Sequence, residues 1–333
     1  MTTIELLVTK ARRGLRLAGR WSFGVAPTFR FFLCGMSAVF LFSCALRPLH
    51  LSQLVDPDAQ IRMIASGFAF AEGPAANNNG LLLWSDIPNS RIVALTPDGA
   101  TRDFLTPSRK SNGLAFDRDG FLYACQREAR RVVRIDVANK NAIQVLADSF
   151  DGKRLNSPND LALDAHGGIY FTDPRSRGID HFEQPVTGVY YVDAERRVTR
   201  VVDSLERPNG ILVSPSGRWL VVAEMNKREI HRFEIIAPGQ VTNGTVVFTG
   251  GPEIDGSGPD GMAHDRLGNI YATYKSLVVL GPDGALIGRV HTPEKPTNCT
   301  FGGTDNKTLF ITTAKSVYAL DMKVAGLEPF ARK

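Results

Sequence analysis

The stretch that decides the fold is Arg207-Pro208-Asn209-Gly210, followed by Ile211-Leu212-Val213. A Pro-Asn-Gly turn ahead of a short apolar β-type run reads as a strand approached through a tight loop. The same phrase recurs along the chain. Ala71-Glu72-Gly73-Pro74 is the first copy, and Ser111-Asn112-Gly113 leads into Leu114-Ala115-Phe116. Ser157-Pro158-Asn159-Asp160 leads into Leu161-Ala162-Leu163, Gly258-Pro259-Asp260-Gly261 into Met262-Ala263, and Pro296-Thr297-Asn298 into Cys299-Thr300-Phe301. The six copies stand about 40 to 50 residues apart, the spacing of propeller blades. In each, an oxygen-bearing side chain (Glu72, Asn112, Asn159, Asn209, Asp260 or Asn298) holds the equivalent place.

Working outward from these positions, most repeats show further strands. Polar turns such as Asp117-Arg118-Asp119-Gly120, Asp164-Ala165-His166-Gly167 and Asp265-Arg266-Leu267-Gly268 separate a first strand from a second. Third strands follow, as in Arg91–Leu95, Arg131–Ile135, Gly188–Val192 and Glu229–Phe233, and Arg197–Val202 is a fourth. No amphipathic helix alternates with these strands, which argues against a doubly wound α/β fold. Six repeats of four antiparallel strands predict an all-β, six-bladed β-propeller over residues 60–325, one domain because each blade buries its faces only against its neighbours. The strand around Ile61-Arg62-Met63-Ile64 is expected to complete the last blade and close the ring.

The 333-residue chain is rich in turn formers, with 31 Gly and 19 Pro, and has a formal charge of +5. That charge misleads, because residues 1–50 carry +6 and the remainder therefore −1. The folded body thus has no basic surplus to meet nucleic acid. Residues 1–59 read as a signal or anchor segment followed by a tether at 45–60. Basic residues precede the apolar run Phe31–Phe42, which is shorter than the ~20 residues of a spanning helix and close to a signal-peptide core. Leu41-Phe42-Ser43-Cys44 resembles a lipoprotein cleavage box, so the chain is expected to be exported, to a periplasmic or extracellular site, with lipid anchoring at Cys44. If the leader is a misassigned start, the protein is cytoplasmic instead. Cys125 and Cys299 are the only other cysteines; they read as buried free thiols, without metal-thiolate spacing.

In a propeller the innermost strands line the central channel, and residues at their start converge on its mouth. Glu72, Asn159, Asn209 and Asp260 would bring carboxylate and amide oxygens together there. Hard oxygens suit one divalent cation, calcium first, with magnesium, manganese or zinc as alternatives. The lack of His and Cys at these positions argues against zinc. Taken singly, each Asn or Asp is an ordinary turn former; Glu72, where no turn needs a Glu, sets the group apart.

The sequence also resembles the senescence marker protein/gluconolactonase/luciferin-regenerating enzyme family from about Ala65 to Leu320. The carriers are Ala71-Glu72-Gly73-Pro74, the long run from Gly152 through Arg154-Leu155-Asn156-Ser157-Pro158-Asn159-Asp160, Ile169-Tyr170-Phe171-Thr172-Asp173-Pro174, Arg207-Pro208-Asn209-Gly210, Pro259-Asp260-Gly261-Met262-Ala263 and Lys295-Pro296-Thr297-Asn298. The resemblance implies a six-bladed propeller with a divalent cation in the channel, held by Glu72, Asn159, Asn209 and Asp260. It further implies hydrolysis of a small lactone, a sugar lactone such as gluconolactone above all. The cation would polarise the carbonyl and Asp260 would act as general base. Asn112 and Asn298 are expected to hydrogen-bond substrate, or to serve as turn residues only. Two other readings use the same positions: an aryl esterase or phosphotriesterase, and a non-catalytic calcium-binding propeller.

Overall fold

The computed structural model describes residues 49–77, 79–96, 98–252 and 257–328. The signal or anchor segment, with Cys44, lies outside the described residues. Among these residues six antiparallel sheets form the blades of a propeller, five of four strands and one, the fourth, with a fifth short strand, Gln240–Val241, added to its third. The first blade runs Ala71–Ala76, Leu82–Asp86, Arg91–Leu95, Thr101–Leu105 from the inside outward, and the second Ser111–Phe116, Leu122–Gln126, Arg131–Ile135, Ile143–Ala147. The third is Leu161–Leu163, Ile169–Asp173, Gly188–Val192, Val198–Val202; the fourth Pro208–Val213, Trp219–Glu224, Glu229–Ala237, Thr245–Thr249. The fifth is Met262–His264, Ile270–Thr273, Leu277–Leu280, Leu286–Val290. In the sixth, Pro296–Gly302, Thr308–Thr313 and Ser316–Asp321 are completed by Arg62–Ser66, which pairs antiparallel with Ser316–Asp321. The first described strand therefore closes the ring, as its sequence implied.

Strand patterning follows burial. The second strands Leu82–Asp86, Leu122–Gln126 and Ile169–Asp173 are buried along their whole length, whereas outermost strands such as Thr101–Leu105 are largely open to water. This gradient is what stacked, twisted sheets around an axis require, since only the outer edge of a blade meets solvent. Six apolar clusters result, one at each seam between neighbouring blades. Cys125 and Cys299 are buried free thiols in two of them. The turns between first and second strands are held by their aspartates. Asp117, Asp164 and Asp265 each accept a backbone N–H within the turn and a Tyr hydroxyl, from Tyr123, Tyr191 and Tyr271, at 2.9–3.1 Å.

Two features differ from the sequence reading. The tether at 45–60 is docked in its described part: Leu54 is fully buried, Val55 bridges Met322, and both belong to the seam between the fifth and sixth blades. Leu49, Leu51 and Ala59 pack against the same cluster from the side. The Asn-Gly and Glu-Gly dipeptides are not turns ahead of a strand either. They lie inside the innermost strands, where the register slips between Glu72 and Ala75, Ser111 and Leu114, and Pro208 and Ile211. Such β-bulges re-aim a side chain locally and are common beside active sites.

The glycine of each dipeptide has a tertiary reason. A Cβ on Gly210 would stand 2.3 Å from the carbonyl oxygen of Asp260, and one on Gly113 2.3 Å from Asp160 Oδ1. On Gly261 it would stand 1.9 Å from the Asn298 side chain. Each glycine makes room for the oxygen-bearing residue of the next blade. The backbones then bond directly: Gly113 N–H donates to Asn159 O at 2.8 Å, Gly210 to Asp260 O at 3.1 Å and Gly261 to Thr297 O at 2.9 Å.

Candidate metal centre

Three blades deliver their site residue by one device. The acid ending the second strand turns inward and accepts backbone N–H groups from the loop ahead of the first strand. Asp86 Oδ1 takes those of Ala69 and Phe70 at 3.0 and 3.2 Å, ahead of Glu72. Asp173 takes those of Asn156 and Ser157 at 2.7 and 2.6 Å, ahead of Asn159. Glu224 takes that of Arg207 at 3.0 and 3.2 Å, ahead of Asn209, and that of Asn226 at 3.0 Å. Each peg holds the chain two residues before the side chain that faces the channel. Glu224 and Asp173 are fully buried strand ends in this role. Burial raises the Asp173 carboxyl to about 7 against the pull of its two N–H donors. Hydroxyls tie the blades together at the same level: Ser85 Oγ donates to Asn112 O and Thr172 Oγ1 to Asn209 O, both at 2.7 Å, and Thr273 Oγ1 to Thr297 O at 2.8 Å.

Five of the six expected residues, Glu72, Asn112, Asn159, Asn209 and Asp260, line one cavity of about 230 Å³ at the channel mouth. Asn298 sits one layer deeper. Its Nδ2 donates to Glu72 Oε2 at 3.0 Å and its Oδ1 accepts from Cys299 N–H at 2.8 Å, so both ends of the amide are engaged within the protein. Glu72 also accepts the N–H of Gly73. Asn298 and Asp160 line a second cavity of about 190 Å³ that opens to the opposite face. The ring of oxygen-bearing residues is thus a plug between two cavities.

Electrostatics at the plug are crowded. Glu72 is buried, and desolvation, then the charges of Asp260 and Asp160, push its pKa well above the ordinary glutamate value; the Asn298 and Gly73 hydrogen bonds act the other way. Asp160 is pushed up to about 7, mainly by burial. Asp260 is pushed to about 6 by burial, against lowering contributions from Lys295, Asn209 and Arg207. Negative charges gathered in a dry space disfavour one another until a cation or protons join them. Asn112 adds a second sign of a missing partner: its Oδ1 is buried and has no hydrogen-bond partner. Among the described residues no three of the His, Cys, Asp and Glu side chains cluster at ligating range. The donors at this mouth are two carboxylates and three amides, a hard-oxygen set suited to a cation such as calcium.

Sequence reasoning overlooked several residues here. Asp160 stands where Gly73, Gly113, Gly210 and Gly261 stand in other repeats, and that departure from the pattern was a usable signal. Arg127, Arg177 and Arg207 line the mouth with Met225, Phe70 and Ile87. Arg127 comes from a four-residue turn that recurs in the first and fourth blades, where Ile87 and Met225 hold its place; Arg177 comes from the longer loop of the third blade, so spacing carried no hint of it. His264 lies away from the mouth. It lines the opposite cavity, held neutral by burial that lowers its pKa to about 4.

Six blades around a channel plugged by buried carboxylates and amides define a six-bladed propeller with an oxygen-rich site on its axis. The chain belongs to the SMP-30/gluconolactonase/LRE-like family, matching that region over residues 70–315. It is 30% identical over 306 residues to a gluconolactonase of Zymomonas mobilis, covering 83% of this chain and 85% of that protein. The solved structure of a gluconolactonase from Xanthomonas campestris superposes with a TM-score of 0.75 at 29% identity, over 83% of this chain and 94% of that one. A calcium-binding regucalcin from Agrobacterium tumefaciens shares the fold, with a TM-score of 0.69 at 21% identity over 83% and 98% of the two chains.

Proposed function

We propose that this protein hydrolyses a lactone at a single divalent cation held by Glu72, Asn159, Asn209 and Asp260, with calcium the first choice of ion. The observation that carries the reading is the convergence of oxygen-bearing side chains from five blades on one buried mouth. Relatives named as gluconolactonases support lactone hydrolysis as the reaction. When bound, the cation supplies Lewis-acid polarisation of the ester carbonyl. Asp260 takes the proton of the attacking water, a role open to a carboxylate beside the ion. Asn112, with its unpartnered Oδ1, accepts a substrate hydroxyl. Asn298 positions Glu72 through their 3.0 Å hydrogen bond.

Phe70, Ile87 and Met225 give part of the mouth an apolar wall, which favours a second reading, hydrolysis of aryl esters or phosphotriesters. A panel of sugar lactones, aryl esters and phosphotriesters, assayed with and without chelator, separates the two. Lactone turnover is expected to stop on chelation and return with added calcium. Asp260→Asn, reloaded with metal, should lose roughly 10²–10⁴-fold in rate. Chelator-resistant turnover overturns the metal requirement, full activity in folded Asp260→Asn overturns the base, and retained metal without any turnover leaves a non-catalytic binding propeller. The leader, in this reading, exports the protein, with Cys44 as the lipid attachment point.

A further inference from the structure

The channel mouth holds more positive charge than a cation site with an uncharged substrate can use. Arg127, Arg177 and Arg207 line the same cavity as Glu72 and Asp260. Arg127 follows the second strand of the second blade, Arg177 follows that of the third, and Arg207 stands just ahead of the first strand of the fourth. Among the described residues none of the three guanidinium groups has a hydrogen-bond or ion-pair partner. Two carboxylates offset a divalent cation, which leaves three guanidinium groups over; an ionised Asp160 would offset one of them.

Exposed arginines are ordinarily solvated, and Arg177 and Arg207 alone would fit that description. Arg127 does not. It is half-buried, and its Nε is enclosed without any hydrogen-bond partner. A guanidinium partly stripped of water is costly unless an anion meets it. The carboxylate whose charge acts on Arg127 is Glu72, while Arg207 opposes it. With a cation on Glu72 that compensation is spent, and Arg127 faces the cavity in need of a counter-charge.

Resting on the lactone-hydrolysis reading, we propose that the mouth is built for a lactone that carries its own anionic group, a carboxylate or a phosphate. That group is seated on Arg127, with Arg177 and Arg207 closing over it, while the ester faces Asp260. Guanidinium N–H groups match the oxygens of either anion, and such charge-assisted hydrogen bonds are about twice as strong as neutral ones. The hydroxyls of a neutral sugar lactone need no surplus charge.

The test uses the full, metal-loaded chain. The ratio of kcat/KM for 6-phosphogluconolactone and for D-glucaro-1,4-lactone over that for D-glucono-1,5-lactone is measured at low and high salt. At least one charged lactone is expected to lead by about tenfold or more, the worth of one hydrogen bond to a charged group. The lead should shrink in about 0.5 M salt, as screening predicts. Arg127→Gln should abolish the lead and Arg127→Lys should restore part of it. Arg177→Gln and Arg207→Gln, at exposed positions that put folding at little risk, should reduce it in the same direction. Calorimetric titration with glucose 6-phosphate, glucuronate and glucose gives a reading independent of turnover. One of the two anions should bind, telling phosphate from carboxylate, and binding should be lost in Arg127→Gln. Turnover of the neutral lactone with no charged preference, together with no anion binding, overturns the proposal and leaves lactone hydrolysis standing. If no lactone is hydrolysed with any metal, the hydrolase reading falls, and the titration alone decides whether an anion site exists.

Discussion

Burial raises the pKa of Glu72, Asp160 and Asp260; Asp260 and Asp160 raise Glu72 further, and Asp260 raises Asp160. A carboxyl whose folded pKa lies above its unfolded value binds more protons in the folded state. The stability these groups add to the metal-free protein is therefore whole below the unfolded value of about 4. It is lost as pH rises through about 6 for Asp260 and about 7 for Asp160. A divalent cation competes with those protons, so calcium should raise the melting temperature more at pH 8 than at pH 5. Thermal melts with calcium and with chelator at the two pH values check this. An equal rise at both would show that the cation does not sit among these carboxylates. Glu72 was conspicuous in the sequence because a turn gave no reason for it. Asp160 was overlooked because Asn-Asp is an ordinary way to approach a strand, and only its burial beside two other acids makes it part of the site.

At the scale of the element, the innermost strands were legible as short apolar runs at regular spacing, but their bulges were not. Asn-Gly has the same letters whether it turns the chain or makes room for a neighbouring blade. The deciding contact is with a residue about 50 positions away in a repeat of this length. Gly210→Ala tests the structural account: the new methyl would meet the backbone oxygen of Asp260, which cannot swing aside as a side chain can. Overpacking of this kind typically costs about 1–3 kcal/mol. The melting temperature should fall by several degrees, and calcium affinity should fall with it because Asp260 is displaced. Unchanged melting and unchanged affinity in Gly210→Ala would mean that the glycine serves the strand and not the site. The pegs Asp86, Asp173 and Glu224 were equally hidden, since a strand ending in an acid is unremarkable until its carboxylate is seen holding the loop of the site residue.

For the whole molecule, closure depends on Arg62–Ser66 joining Ser316–Asp321 across the full length of the chain. Leu54 and Val55 reinforce that join from the seam beneath it. Removing residues 1–48 should leave the melting transition and lactone turnover unchanged. Removing residues through Ser66 should uncover Ser316–Asp321 as an edge strand, which invites aggregation as well as loss of stability. In the producing cell the full chain should fractionate outside the cytoplasm and the chain lacking 1–48 inside it. Full-length, unprocessed protein in the cytoplasm overturns export, and equal stability of the two truncations overturns the closure argument.

The sequence alone determined the blade count, the closing strand and the ring of oxygen-bearing positions, because a repeating unit stamps each of these on the chain at a regular interval. Buried free thiols at Cys125 and Cys299 were legible for a related reason, each falling in an apolar strand with no partner at ligating spacing. Tertiary structure alone decided which of the six positions share the mouth and that Asn298 props Glu72 from below. It also decided that Asp160 belongs with the acids and that three arginines gather over them. Asp160 breaks the repeat and Arg177 lies in a loop of different length, while Arg127 and Arg207 stand at repeated places whose residue type changes from blade to blade. Their roles arise only when ring closure brings separate blades onto one axis and removes the water between them.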